Sequence, residues 1–345
     1  MAKDNEKGAE TTSPGTVKLA DVANAAGVAL ATASRALSNP KRVNAQTRER
    51  VLEVANRLGY SMNIAARSLR SGLSRSIMVV VPPWHSSDIF ETILRAIDAE
   101  LLRSDYNMIV TNLGADLEAD PRAIDLARGG LVDGLLAIAN DVPASGKLSV
   151  LSAGIPTVGM LADLSGRGVP SVVSDDRNAV FELTKAMLAS GRRRFLYVSG
   201  PKGDYHEPER YAGFKKALAT VANLPRHLRV EGDRSFEAGV RAGNAYLAAE
   251  TRPDAAIFYN DRMAISFMKT VISAGVRVPE DVAVAGFDDI DVAQYCSPSL
   301  TTIQQSTDLL GAFAARMLLQ LIRGTASPNM EPLVVPSQLI RRESF

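Results

Sequence analysis

Residues 16–73 read TVKLADVANAAGVALATASRALSNPKRVNAQTRERVLEVANRLGYSMNIAARSLRSGL, and their chemistry differs from that of everything after them. Leu19 to Ala26 is expected to form one short helix, Gly27 supplies a turn residue free to take positive φ, and Leu30 to Leu37 is expected to form a second helix. Val22, Ala25, Val28, Ala33 and Leu37 are the small apolar positions where the two would meet, leaving Thr32, Ser34 and Arg35 for another surface. This is a helix-turn-helix pattern, and an exposed second helix of this kind suits a major groove. A third helix runs from Asn44, placed as an N-cap, through the stripe Val51, Val54, Ala55 and Leu58 to a stop at Gly59. Val17 to Arg75 holds ten Lys and Arg against three Asp and Glu, about +7, on a chain whose formal charge is +1, so the remainder sums to about −6. A basic module on a mildly acidic body is the charge signature of nucleic-acid binding.

The residues match a family as well as a geometry. Asp21-Val-Ala, Ala26-Gly-Val28, Ala31-Thr-Ala-Ser-Arg35, Thr47-Arg-Glu-Arg-Val51, Leu58-Gly-Tyr60 and Asn63 with Ala66-Arg-Ser-Leu69 resemble the N-terminal head of the LacI/GalR family of bacterial transcriptional regulators, and a weaker likeness covers nearly the whole chain. The resemblance implies that Leu30, Ala31 and Arg35 face base edges, with Thr32, Ser34, Asn44 and Arg48 on phosphates that fix register. Arg35 is the strongest candidate, because a guanidinium can donate twice to guanine O6 and N7, worth roughly 1–3 kcal/mol of discrimination. Leu30 and Ala31 offer only apolar contact. Two departures stand out: the family usually has Ser or Thr before each of the first two helices, and this chain has Lys18 and Ala29. A lost side-chain cap costs about 0.5–2 kcal/mol, so the head is expected to be loosely folded until DNA or the rest of the dimer supports it.

Asn63 to Leu69 resembles the family's hinge helix, with Ala65 and Ala66 small enough for two copies to approach and Leu69 matching the wedge that enters a central base step. Read without the head, the same residues are an ordinary linker ending in Ser71-Gly72. The polar run 1–15 is expected to be a disordered arm. Neither a signal-peptide core nor a transmembrane run is found, and the single cysteine, Cys296, excludes an internal disulfide framework, so a cytoplasmic protein is expected.

From Ser76 onward short apolar runs alternate with helical stretches, which indicates parallel sheets covered on both faces. Two such series, separated near the Gly- and Ser-rich run from Leu164 to Ser171, suggest two lobes. The expected organisation is thus a small all-α helix-turn-helix head at 16–61, a hinge at 62–73, and an α/β body of two parallel-sheet lobes at 74–345. Lobe 1 would comprise about 74–170 and 301–325, and lobe 2 about 171–300 and 330–345. The body resembles the family's sensor core, itself similar to periplasmic sugar-binding proteins, and implies crossings between lobes near Ser171, Leu300 and Leu333, with the strand Leu333 to Ile340 in the second lobe.

A ligand of such sheets sits beyond the carboxyl ends of the strands. There the resemblance places Arg210 on ligand hydroxyls, Asn260 and Asp288 as two further contacts, and Gln305 as a weaker one. A carboxylate, an amide and a guanidinium together suit a polyol. Plainer roles stay open: Asn260 or Asp261 capping the next helix, Arg210 as a solvated helix-start residue, and Asp288 or Asp289 forming a turn. Trp84 and Phe90 lie where the family sets an aromatic over its ligand, but Ser86-Ser-Asp-Ile-Phe90 replaces the usual Asn-Pro-Phe-Phe with one extra residue, so either ring, or neither, serves. Leu161 stands where many relatives have a polar contact.

Enzymatic motifs are missing: there is no Walker loop, GxGxxG after the first strand, GxSxG or HExxH, and His85, His206 and His227 lack metal-ligand spacing, so no cofactor or metal is implied. Gly200-Pro-Lys-Gly203 reads as a turn lining the cleft and Arg192 to Arg194 as a solvated loop. One recognition helix reads too few bases for an operator, which points to a homodimer on a near-palindromic site. The stripes Ile89, Ile93, Ile97, Leu101 and Leu310, Phe313, Met317, Leu321 are core positions whose flanks are candidates for that interface. The expected function is a regulator, a repressor by resemblance, controlled by a small polar effector, a sugar before a nucleoside or purine; a solute-binding protein or a sugar-modifying enzyme is the remaining alternative.

Overall fold

The computed structural model describes residues 17–38, 43–60, 72–82, 89–112, 122–138, 144–145, 148–149, 154–224, 226–325 and 331–345. The arm at 1–15, the hinge residues Asn63, Ala66 and Leu69, and Trp84 lie outside them. Contacts divide the chain into a unit ending at Ser74 and a unit running from Arg75 to Phe345.

In the first unit, helices α1 (Leu19–Ala25), α2 (Leu30–Ser38) and α3 (Ala45–Leu58) close around Val22, Ala23, Ala26, Ala33, Ala36, Val51, Val54 and Ala55. The buried face of α1 is rotated from the expected one: Ala25 is exposed, and Ala23 and Ala26 take its place. Gly27 has φ +62° in the turn, and Gly59 ends α3 at φ +66°. Asn44 caps α3, its Oδ1 accepting from Thr47 N–H at 2.7 Å. Lys18 has no side-chain acceptor, yet the start of α1 is not bare, since Asp21 Oδ2 accepts from the Lys18 N–H at 2.8 Å. That is half of a capping box.

The second unit opens with β1 (Ser76–Val81), α4 (Phe90–Leu102), β2 (Asn107–Asn112), α5 (Arg122–Arg128), β3 (Gly134–Ala137), a two-stranded hairpin β4 (Ala144–Ser145) and β5 (Leu148–Ser149), β6 (Thr157–Met160) and β7 (Ser171–Ser174). After α6 (Asp176–Ala189) come β8 (Phe195–Val198), α7 (His206–Leu218), β9 (Leu228–Val230), α8 (Phe236–Ala248), β10 (Ala255–Phe258), α9 (Asp261–Ser273) and β11 (Ala283–Ala285). The chain ends with β12 (Thr302–Gln305), α10 (Thr307–Ile322), β13 (Leu333–Val335) and β14 (Ser337–Ile340).

Two parallel sheets result, in the orders β13-β7-β6-β3-β1-β2 and β11-β10-β8-β9. Both faces of each are apolar, as continuous hydrophobic strands require. In β1, Ile77, Val79 and Val81 enter one cluster with α4 and α10, while Met78 and Val80 enter another with α5. In β8, Leu196 and Val198 face α8 and α9, while Phe195 and Tyr197 face α6 and α7. The stripes of α4 and α10 are packed in the first of these clusters, where Gly311 lies so close that an added Cβ would stand 2.7 Å from the Ile93 carbonyl oxygen.

Lobe membership departs from the sequence reading in three places. β7 pairs with β6 in the first sheet, so the chain crosses after Ser174 rather than at 170/171. β12 pairs with β14, and Ile303 is buried among second-lobe residues, so residues 302–305 leave the first lobe. The run 333–340 is two strands: β13 adds to the first sheet beside β7, and only β14 joins the second lobe. Sheet membership depends on which distant edge accepts a short strand's hydrogen bonds, and apolar alternation carries no record of that partner.

Candidate functional site

On the head, α2 presents Leu30, 53% exposed, beside exposed Ala31 and Arg35, with Thr32 and Ser34 half-buried. Arg35 Nε donates to the Ala31 carbonyl at 3.2 Å, which pins the stem along the helix and leaves the two terminal nitrogens for a partner. A base edge that accepts twice fits such a fork. Asn44 spends its oxygen on the cap, so only its NH2 is left to donate to a phosphate; Arg48 is exposed on the first turn of α3.

The body gathers its charged side chains at the carboxyl ends of the strands. Arg210, on the first turns of α7 beyond β8, is buried. Its Nε donates to Asp176 Oδ2 at 2.9 Å, a terminal nitrogen donates to the Tyr259 carbonyl, and its Cζ lies 4.4 Å from the Tyr259 ring centroid and 3.5 Å from that of Phe287. Burial works against the Arg210 charge, but the Asp176 carboxylate outweighs it and holds the guanidinium above its ordinary range. Burial likewise pushes Asp176 upward, and Arg210 with His206 overcomes it, holding the carboxyl well below its ordinary value. Arg210 is therefore no solvated helix-start residue.

Asp176, on the crossing after β7, is the hub of this cluster. Its Oδ2 also meets His206 Nδ1 at 2.8 Å, and Ser174 Oγ donates to its Oδ1. Asp204 Oδ1 accepts from the Tyr259 hydroxyl at 2.7 Å, and its Oδ2 pairs with Arg234. Neither Asp176, His206 nor Asp204 was singled out as a site residue on the sequence; Asp176 and His206 lie 30 positions apart, and no spacing rule couples them.

Asn260 sits at the end of β10 and caps α9: Oδ1 accepts from Met263 N–H at 3.1 Å and Nδ2 donates to the Arg234 carbonyl at 3.1 Å. The capping role is thus occupied, with one N–H left over. The adjacent Asp261 is buried between Thr302 Oγ1 at 2.6 Å and the Ile290 N–H at 2.9 Å, and burial pushes its carboxyl well up. Asp288, after β11, takes φ +111°, and Asp289 φ +53°, so both do turn the chain. Gln305, at the end of β12, donates through Nε2 to Asp288 Oδ1 at 2.7 Å, while its own Oε1 is buried without a partner. Burial, against the opposing charge of Arg210, pushes Asp288 up to about 6.

The structure therefore brings Arg210, Asp288 and Gln305 into one cluster with Asp176 and His206, and sets Asn260 beside it. Among the described residues of the first lobe, those ending β6 and opening α4 are apolar. Leu161, at the end of β6, is buried and held at φ +69°, a conformation that costs a non-glycine residue of order 1–3 kcal/mol. Phe90, on the first turn of α4, is nine-tenths buried in the apolar cluster of that lobe. Tyr205, beside His206, packs against first-lobe residues, and burial pushes its hydroxyl up to about 12.

Two tempting anion sites are closed. The Gly200 N–H is taken by Glu207 Oε2 at 2.8 Å, and the Tyr259 ring covers the place a Cβ would need. Arg192 donates to the carbonyls of Pro279 and Glu280, and Arg194 to that of Arg252. No cluster of His, Cys, Asp and Glu that could hold a metal is found among the described residues, and none of their helices is long and apolar enough to cross a membrane.

A helix-turn-helix head on a two-lobed α/β body defines a DNA-binding regulator with a sensor domain. The chain matches the bacterial regulatory proteins of the lacI family over residues 18–63 and the periplasmic binding protein-like domain over residues 184–345. It is 30% identical over 307 residues to the HTH-type transcriptional repressor CytR of Escherichia coli (strain K12), covering 88% of this chain and 89% of that protein. Among solved structures, the lac repressor dimer bound to operator and the anti-inducer ONPF aligns with a TM-score of 0.84 at 26% identity, over 96% of this chain and 99% of that one. The transcriptional regulator CelR–cellobiose complex aligns with a TM-score of 0.69 at 27% identity, over 95% and 100%. The chain belongs to the LacI family and is a DNA-binding transcriptional regulator controlled by a small effector; the relatives named are repressors and regulators, not enzymes.

Proposed function

We propose that the protein is a cytoplasmic homodimeric repressor that grips a near-palindromic operator through α2 of each head and releases or engages it when a sugar binds between the lobes of the body. Leu30, Ala31 and Arg35 read bases; Thr32, Ser34, Asn44 and Arg48 hold phosphates; Asn63, Ala66 and Leu69 form the hinge. Arg210, Asp288 and Gln305 hold the effector, with Asn260 contributing its spare N–H and Trp84 or Phe90 its ring. The observation that carries the effector assignment is the partnerless, buried Oε1 of Gln305 beside the Asp288 carboxylate, since an orphaned acceptor at the ends of parallel strands calls for a donor from a ligand. The cellobiose bound to a related regulator supports a sugar.

The mechanism is a population shift, in which the effector stabilises one relative arrangement of the lobes by its differential affinity for it. Its levers are on the crossings: Asp176 follows β7, and Gln305 ends β12, so a ligand joining them acts where the chain passes between sheets. Selection of genomic DNA fragments on the purified protein tests the reading. Enrichment of a short near-palindrome supports it; failure to enrich any sequence, with and without pooled sugars and nucleosides, overturns it.

A further inference from the structure

Each apolar cluster of the body belongs to one lobe, with a single exception among the described residues. Tyr205, on the second-lobe loop between β8 and α7, packs against the first-lobe cluster that holds Met78, Val80, Ala162 and Leu164. Every other member of that cluster lies between Met78 and Val169. The Tyr205 hydroxyl crosses with the ring. Burial and the Asp163 carboxylate push it up, while a bond to the Asp163 backbone works the other way, as only a donor does, so the Asp163 N–H donates to the Tyr205 oxygen. No backbone carbonyl takes that N–H.

Both sides of the contact are held in place. In the first lobe, Asp163 Oδ1 accepts from the Ser165 N–H at 2.9 Å and Ser171 Oγ accepts from the Leu164 N–H at 2.9 Å, so the loop after β6 is set by its own bonds. In the second lobe, both neighbours of Tyr205 are anchored. Asp204 accepts from the Tyr259 hydroxyl at 2.7 Å and from the His206 N–H at 2.9 Å, and His206 Nδ1 lies 2.8 Å from Asp176. The Tyr205 ring stands edge-on to that of His206, with centroids 5.6 Å apart. Asp176 also holds Arg210, so a shift at the start of α7 reaches Tyr205 through one residue. One half-buried ring and one hydrogen bond are enough to bias two lobe arrangements and too little to lock them.

We propose that Tyr205 is an interlobe latch: in the effector-free protein it favours the arrangement in which it meets Asp163, and operator affinity depends on that bias. This rests on the reading of the body as the sensor that controls the head. The latch is separate from the groups assigned to the effector, since it uses a ring and a hydroxyl that face the first lobe rather than the charged cluster.

The first measurement needs neither DNA nor ligand. Amide hydrogen exchange, read by NMR on the full effector-free chain, should show the Asp163 N–H exchanging at least about tenfold slower than in an unfolded chain. Tyr205→Phe keeps the ring and removes only the hydroxyl, and should abolish most of that protection. The Gly159 and Leu161 N–H groups, bonded to the Pro170 and Val172 carbonyls inside the first lobe, should keep their rates. An unprotected Asp163 N–H in the parent, protection that survives Tyr205→Phe, or a loss shared by Gly159 and Leu161 overturns the latch. The first of these is read on the unaltered protein, so it decides the matter even where a variant fails to fold. The second measurement uses Tyr205→Ala and an operator fragment recovered by the genomic selection. Its dissociation constant should change at least about fivefold at fixed salt, in either direction, with the salt slope of the parent because the phosphate contacts of the heads are untouched. An affinity within about twofold of the parent overturns control of the operator by Tyr205. If the selection enriches no sequence, the regulator reading falls while Asp163 exchange still decides the latch, so the two failures are told apart.

Discussion

The head and the second lobe solve opposite recognition problems. The head leaves its proposed reading residues bare: Leu30, Ala31 and Arg35 are exposed on a helix whose core is made of alanine and valine. The second lobe buries its polar groups, with Arg210 between two aromatic rings and Asp176 receiving bonds from three residues. DNA brings its own dense charge, so side chains that meet it need little preorganisation and gain from staying hydrated until contact. A small ligand brings only a few hydrogen bonds, so its site must hold donors and acceptors in place beforehand. The difference teaches that the body is stabilised by the very groups proposed to read the effector, and the head is not.

Removing Arg210 tests that most severely. Arg210→Ala leaves the buried Asp176 carboxylate with only His206 and Ser174, and breaking a buried pair of this kind costs about 3–5 kcal/mol. Calorimetry should show the body transition falling steeply while the head transition stays put; a shift under about 1 kcal/mol would show that the pair contributes little. Where the variant still folds, effector response should be lost with operator binding retained.

Asp288 should act in the other direction. Its folded-state value of about 6 lies above its ordinary 3.8, so the native state binds this proton more tightly than the unfolded chain. Its contribution to stability therefore declines as pH rises from about 4 to 6, and the full cost is present above that window. Asp288→Asn should stabilise the ligand-free protein at pH 8 by on the order of 2 kcal/mol and hardly at all at pH 4, read by urea unfolding at both. A variant no more stable at pH 8 than the parent would mean that solvent or an unseen donor already satisfies the carboxylate.

On the head the expected effects are smaller. Arg35→Ala should cost roughly 1–3 kcal/mol of preference for operator over random DNA at fixed salt, with the salt slope little changed. An unchanged ratio would count against α2 as the reading helix. Ala29→Ser places a hydroxyl where the Ala29 carbonyl already accepts the first helical bonds of α2, from Thr32 and Ala33. It should stabilise the head by about 1 kcal/mol. Hydrogen exchange across residues 19–37 would register this as slower opening, and protection already equal to the body in the parent would remove the premise of a loose head.

Much of this was legible in order along the chain. The turn at Gly27, the cap at Asn44, the stop at Gly59 and the alternation of apolar strand with helix are set by backbone and neighbours a few residues away, and all are present. Arg210, Asp288 and Gln305 could be named because motif residues sit at predictable strand ends, and they do come together. The rotated face of α1, with Ala23 and Ala26 inside in place of Ala25, shows the limit even locally, since alanine is small enough to serve on either side.

What the amino-acid sequence determined by itself is the class of molecule: a basic three-helix head, a doubly covered parallel-sheet body, and the identity of the groups that end each strand. Tertiary structure alone decided which edge β7 and β13 join, and that Asp176 sets both Arg210 and His206. Local propensity acts over a few residues, whereas a buried ion pair or a strand edge is settled by which distant partner offers a charge or a hydrogen bond once water is excluded.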